Sequence, residues 1–191
     1  MTNLSRDVLE KEISENGLVG GVENLDKQLT ANGIDVRLAA IIEVVEGGTL
    51  AVEKSRCKPP VLGQAWVMAG FESVLEGLDV KETIVLDEGS VVDLKKNVPY
   101  LVVSCETVDV PEKYMFKIET RSSVFRLMQG VLETAFGEAG YRGKLTFLLF
   151  TLLDAKIELG SRFAQIAFST LEGCAHYEDQ KESSYQDGKI L

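Results

Sequence analysis

From Ile34 onward, short runs of Val, Ile, Leu and Thr alternate with polar turn residues. The runs are Ile34–Val45, Thr49–Val52, Thr83–Leu86, Val91–Leu94, Tyr100–Val103 and Tyr114–Glu119, then Lys144–Leu153, Lys156–Leu159 and Phe163–Ser169. Glu46-Gly47-Gly48, Asp87-Glu88-Gly89 and Asn97-Val98-Pro99 punctuate them. Runs of this length and spacing predict an all-β sandwich or barrel-like fold. Ahead of them, Leu4–Asn16 reads as a helix: Ser5 can cap it, Val8, Leu9 and Ile13 recur at helical spacing, and Asn16-Gly17 ends it. Leu18–Gln28 reads as loop. Gln64–Leu75 fits a strand or a short helix, and Ser122–Leu132 fits a helix with Phe125, Met128 and Leu132 on one face.

At 191 residues and 45% hydrophobic, the chain can bury one real core. The expected division is one β domain with its N-terminal helix over residues 1–177 and a polar tail over 178–191. No apolar run reaches the roughly 20 residues a bilayer needs, and the first 20 positions carry charges throughout, so we expect a cytoplasmic protein that binds no membrane. Cys57, Cys105 and Cys174 lie far apart and read as reduced thiols. His176 is the single histidine. With no His/Cys cluster, a zinc deaminase of the His-x-Glu…Cys-x-x-Cys kind is excluded. A formal net charge of −10 argues against a duplex nucleic-acid partner, but not against a free nucleotide in a local basic pocket.

Five segments carry candidate chemistry. Arg121-Ser122-Ser123, with Arg126 a turn on, places cations and hydroxyls at a strand-to-helix corner, which is either a phosphate site or a capped helix with surface arginines. Gly137-Glu138-Ala139-Gly140-Tyr141-Arg142-Gly143 reads as a glycine-rich hairpin. Glu138 could orient or deprotonate a water, and Tyr141 could lie against a deoxyribose; a plain polar hairpin is the alternative. Gln165, polar within Phe163–Phe168, needs a specific partner, either a ligand phosphate or another backbone. Asp35, between apolar neighbours, either helps arrange a site or forms a structural ion pair with Arg37 or another arginine. Ser184-Tyr185-Gln186-Asp187-Gly188-Lys189 could fold over a ligand as a lid or remain a free end.

Taken in order, these motifs resemble the dUTPase and dCTP deaminase superfamily. Leu4-Ser5-Arg6-Asp7, Asn32-Gly33-Ile34-Asp35-Val36-Arg37-Leu38, Tyr114–Arg126 and Arg162-Phe163-Ala164-Gln165-Ile166-Ala167-Phe168 are similar to archaeal dUTPases and dCTP deaminases over nearly the whole chain. The resemblance implies a mainly β, distorted jelly-roll subunit of the β-clip kind. It also implies a homotrimer with sites between subunits and Mg²⁺ carried on a pyrimidine deoxynucleoside triphosphate. By the resemblance, Ser122, Ser123, Arg126 and Gln165 contact phosphates beside Arg121, Tyr141 stacks on deoxyribose, and the Gly137–Gly143 hairpin reads the base. Tyr185 and Lys189 belong to a closing tail, and Asp35 supports the site.

The superfamily's deaminases need a glutamate where Leu148 stands here, so the expectation is dUTP hydrolysis to dUMP and pyrophosphate. The alternatives are dCTP deamination to dUTP and ammonia, or a catalytically weak nucleotide-binding relative. One departure stands out. Gly137-Glu138 replaces the usual Ile-Asp or Val-Asp, lengthening the acid and removing a side chain at its base. Glu133 is a nearby carboxylate that could substitute.

Overall fold

The computed structural model describes residues 2–173, 175 and 185–191; Cys174, His176 and residues 178–184 of the expected tail lie outside them. Helix α1, Arg6–Asn16, forms as expected and ends on Gly17 in the left-handed region (φ 69°). Ser5 makes no cap to the backbone; its hydroxyl donates to Asp7 instead, at 2.6 Å. Leu9 and Ile13 meet the core, while Val8 faces outward. The expected loop between 18 and 28 holds a two-residue strand, β1 (Val19–Gly20), and one helical turn, α2 (Leu25–Gln28), capped by the Asn24 side chain.

β2, Ile34–Glu46, is the spine of the fold. Its first nine residues are all buried, because partners lie on both edges and side chains pack on both faces. β3 (Val61–Met68), β4 (Glu82–Leu86), β5 (Val91–Leu94), β6 (Tyr100–Asp109) and β7 (Tyr114–Thr120) follow. Then come helix α3 (Ser122–Met128), β8 (Gly130–Glu133), β9 (Arg142–Thr151), β10 (Ala155–Glu158) and β11 (Arg162–Thr170). Among the described residues, the main sheet runs β4-β3-β2-β6-β9-β8; β1 adds to β6, and β11 joins β2 to β7. Only β3 and β4 pair parallel there, and β5 and β10 form a separate ribbon. The molecule is mainly β, as the alternating runs predicted.

Three local expectations are corrected. Thr49–Val52 is not a strand: Thr49 makes one bridge to Lys58, and Leu50 and Val52 are fully exposed, so no neighbour pairs them. Gln64–Leu75 divides into the end of β3 and a 3-10 turn at Glu72–Leu75. Ser122–Leu132 divides into α3 and β8, and the buried side of α3 is Val124 with Met128, four residues apart; Phe125 points outward.

Candidate functional site

The first candidate group forms where β7 ends. β7 pairs with β11, and β11 pairs with β2, so Glu119, Gln165 and Asp35 stand in one row across three strands. A register shift between Arg162 and Ala164 turns the start of β11 beside that row. The buried Asp35 carboxylate receives Arg121 Nε at 2.9 Å and Arg162 Nη1 at 3.3 Å through the same oxygen. Arg121 Nη1 also donates to the Arg162 carbonyl at 2.9 Å, and Arg162 Nη1 donates to the Lys27 carbonyl. Of the alternatives for Asp35, the partners are these two arginines and not Arg37.

Burial pushes the Asp35 carboxyl above its ordinary value, and Arg121 and Arg162 pull it back. Two guanidinium groups share one anion, which leaves local positive charge at a partly open edge. That is the balance an incoming phosphate oxygen needs. Ser122 and Arg126 are exposed and Ser123 is half-buried at the same corner. Within the chain, the Gln165 Nε2 donates to a side chain, the Thr30 hydroxyl, at 2.6 Å. It lines a groove of about 320 Å³ with Asn32, Lys117 and Glu119.

The second group is the loop joining β8 to β9. It is no tight hairpin. Gly137 and Phe116 exchange both backbone hydrogen bonds, at 2.9 and 3.1 Å. Val110 does the same for the Gly140 N–H and the Tyr141 carbonyl, at 2.9 and 3.0 Å. The loop is therefore clasped to the start of β7 and the segment just before it. Tyr141 is half-buried, its ring tilted on Phe116 at 6.2 Å and its hydroxyl donating to the Lys144 carbonyl at 2.7 Å. Glu138 is half-buried. Phe116 and Arg121 are five strand residues apart, about 16 Å at ~3.3 Å per residue. One chain thus gathers Asp35, Arg121, Arg162 and Gln165 but holds Glu138 and Tyr141 at the opposite end of β7.

The third group is the tail. Tyr185 is exposed, and Gln186–Gly188 form a 3-10 turn against β9 of the same chain. Lys189 is exposed, and Ile190 packs on a buried apolar group that includes Ile42, Leu75 and Val103. Lys144, Thr107 and Lys189 line a cavity of about 520 Å³ beside it. Burial lowers the Lys144 pKa, and its ammonium donates to the Cys105 carbonyl at 2.5 Å.

Leu148 is 37% exposed on β9, opposite Glu133 of β8 and Leu101 of β6. Sequence reasoning missed a buried polar knot. The Glu106 carboxylate, with no exposed side-chain area, accepts Arg37 Nε, the Arg37 N–H and Gln28 Nε2 at 2.7–2.9 Å. The signal was present: charged residues within the apolar runs of β2 and β6 imply partners. Among the described residues, no three His, Cys, Asp or Glu side chains gather into a metal-binding group.

The chain belongs to the dCTP deaminase-like family, which it matches over residues 3–171. Its relatives carry the names of both activities. It is 35% identical over 127 residues to a dCTP deaminase of Thermococcus kodakarensis, covering 64% of this chain and 76% of that one. It is 32% identical over 123 residues to a probable deoxyuridine 5'-triphosphate nucleotidohydrolase of Methanopyrus kandleri, covering 61% and 79%. A dUMP-forming dCTP deaminase of Halobacterium salinarum aligns over 187 residues at 28%, covering 95% and 88%. Among solved structures, the 2'-deoxycytidine 5'-triphosphate deaminase of Agrobacterium tumefaciens superposes on 87% of this chain with a TM-score of 0.57 at 17% identity. This chain spans 46% of that one, and the likeness speaks for the fold alone: the distorted, mainly β subunit that the motifs implied.

Proposed function

We propose that the protein is a dUTP diphosphatase acting on the Mg²⁺ complex of dUTP and releasing dUMP and pyrophosphate. The observation that carries this reading over its deaminating alternative is Leu148. Where the resemblance puts the deaminases' glutamate, this chain has Leu148, exposed on β9, an aliphatic side chain that cannot relay protons to a pyrimidine ring. Hydrolysis of a phosphoanhydride does not need that relay; it needs donors for the phosphate oxygens and an oriented water. Ser122, Ser123, Arg126 and Gln165 supply the donors, with Arg121 held in place by Asp35. The metal comes with the triphosphate and offsets the remaining charge. Glu138 orients a water and takes its proton as the oxygen attacks the α-phosphorus, and the bond to the bridging oxygen of the leaving pyrophosphate breaks. Tyr141 packs against the deoxyribose, and Tyr185 and Lys189 close the site.

The reading includes the homotrimer that the resemblance implies. The basic corner and the Glu138 loop occupy opposite ends of β7, so a complete site takes the corner from one copy and the loop from another. Purified protein with dUTP, dCTP, dTTP and UTP, each with Mg²⁺, tests the proposal. We expect dUMP and pyrophosphate from dUTP, lost in Glu138→Ala; no dUMP above that variant's level overturns it.

Deamination of dCTP is the second reading, and one observation favours it. Glu133 stands directly across from Leu148 on the same face, where opposite Cβ atoms lie ~5 Å apart, so a carboxylate is within a strand's width of the missing one. Ammonia released from dCTP, and abolished by Glu133→Gln, would put this reading first.

A further inference from the structure

The tail's grip on the β8–β9 loop has a definite chemical form. The Gly140 carbonyl and the Arg142 N–H flank Tyr141, an acceptor and a donor one residue apart. Gln186 takes both: its Nε2 donates to the Gly140 carbonyl, and its Oε1 accepts the Arg142 N–H, each at 3.2 Å. The Gly140 N–H and the Tyr141 carbonyl are already engaged by Val110. The groups that Gln186 covers are therefore this segment's outward-facing pair.

A carboxamide presents a carbonyl and an N–H side by side. The amide edge of an oxopyrimidine ring, its N3–H beside an exocyclic carbonyl, presents the same pair in the same plane. We infer that the Gly140–Arg142 edge is a receptor for that ring edge, and that the Gln186 carboxamide occupies it in the free chain as an internal stand-in. The inference rests on the reading above, that this loop faces a pyrimidine nucleotide. It adds that the base enters by displacing the chain's own side chain.

The docking that delivers Gln186 is built into the backbone. Gly143 (φ 130°) and Gly188 (φ 74°) let two main chains touch. A Cβ on Gly143 would lie 2.2 Å from the Gly188 nitrogen, and one on Gly188 would lie 2.7 Å from the Lys144 nitrogen. Gln186 is thus held at the edge by a glycine crossing on one side, with Ile190 seated beyond it. A base that takes the edge exchanges two neutral hydrogen bonds for two others, so the occupant chosen depends on what the rest of the nucleotide contributes.

Calorimetry of Mg²⁺–dUTP binding to the full chain tests this, with Gln186→Ala and Gly188→Ala beside the natural protein. The second variant crowds Lys144 and undocks the tail without altering Gln186. Gln186→Ala should bind dUTP about ten-fold more tightly, since the competing pair of hydrogen bonds is gone; Gly188→Ala, which also displaces Tyr185 and Lys189, reports the undocking through exchange alone. dUTP methylated at N3, which lacks the donor, should lose most of its affinity for all three proteins. Amide hydrogen exchange at Arg142 should quicken in both variants. Equal dUTP affinity in the natural protein and Gln186→Ala, or unchanged exchange at Arg142, overturns the inference and leaves the proposed function standing. If dUTP binds none of the three, the functional reading falls first and takes this one with it.

Discussion

Gly137 and Phe116 share a single volume. A Cβ on Gly137 would sit 2.3 Å from the carbons of the Phe116 ring, and the two residues also exchange both backbone hydrogen bonds. The missing side chain at the base of Glu138 is therefore no slack point. The ring of β7 fills the space from the other side, packing on Tyr141 and, at 5.7 Å, on Phe168.

This pairing predicts reciprocal size effects. Gly137→Val should be destabilising by roughly 1–3 kcal/mol through overpacking, and Phe116→Ala by roughly 3–5 kcal/mol through a cavity. The double variant should cost less than the sum, because the valine occupies part of the vacated ring volume. Urea unfolding of the four proteins reads the coupling; strict additivity would show that the two residues do not share space.

Asp35 and its arginines give a second expectation. Asp35→Ala leaves two cations facing each other without their anion. Breaking a buried pair costs ~3–5 kcal/mol, but both arginines are partly exposed (29% and 36%), so about 1–3 kcal/mol is expected. The carboxyl's pKa is raised by burial, so the folded chain holds its proton to higher pH than the unfolded chain does. The Asp35 contribution is therefore complete below the ordinary value of 3.8 and declines as pH rises through the raised folded value. Denaturant titrations of natural and Asp35→Asn protein across the acid range should differ in slope there, the natural protein losing more stability as pH rises. Parallel curves would refute the assignment.

The Glu133–Leu148 register can be tested through charge. Leu148→Glu sets two carboxylates opposite each other and should lower stability by about 0.5–1 kcal/mol at neutral pH. The penalty should vanish when Glu133→Gln is added. Thermal melts of the two variants and the natural protein at neutral pH measure it; a penalty that survives Glu133→Gln means that the side chains do not face each other.

Cysteine reactivity offers a fourth check. Cys57 is exposed and Cys105 is buried. Burial raises the Cys105 thiol from an ordinary 9.0 to about 12, with Glu106 adding to the shift. The thiol stays neutral in the fold at pH 8, and its contribution to stability is lost only as pH rises from about 9 towards 12. Iodoacetamide at pH 8 followed by peptide mass spectrometry should label Cys57 within minutes and Cys105 only after unfolding. Comparable labelling of both in the native protein would contradict the burial.

Much of the architecture was legible in the order of residues. β-branched and aromatic runs between glycine-bearing turns marked β2, β4, β5, β7 and β9 to β11 within a few positions, and only the first four residues of β6, because alternation and turn chemistry are local properties. Thr49–Val52 failed for a reason equally physical: its composition suits a strand, yet its pairing stops at the single bridge between Thr49 and Lys58, and a strand without further pairing has nowhere to place its hydrogen bonds. Gln165 could also be picked out in advance, since a polar group within an apolar run needs a partner, while Arg121 and Glu138 stood out by the order of their motifs.

The identity of those partners was not local. Asp35 meets Arg162 across 127 positions and Gln165 meets Thr30 across 135, so only the antiparallel register of β2, β11 and β7 decides that they touch. The same holds for Phe116 inside the space of Gly137, and for Gln186 on the backbone of Gly140 and Arg142. Residue order alone determined the strands, the turns and the kinds of donors and acids available. Tertiary pairing determined which of them meet, because hydrogen bonds and packing act over a few ångströms and depend on position in space, whatever the separation along the chain.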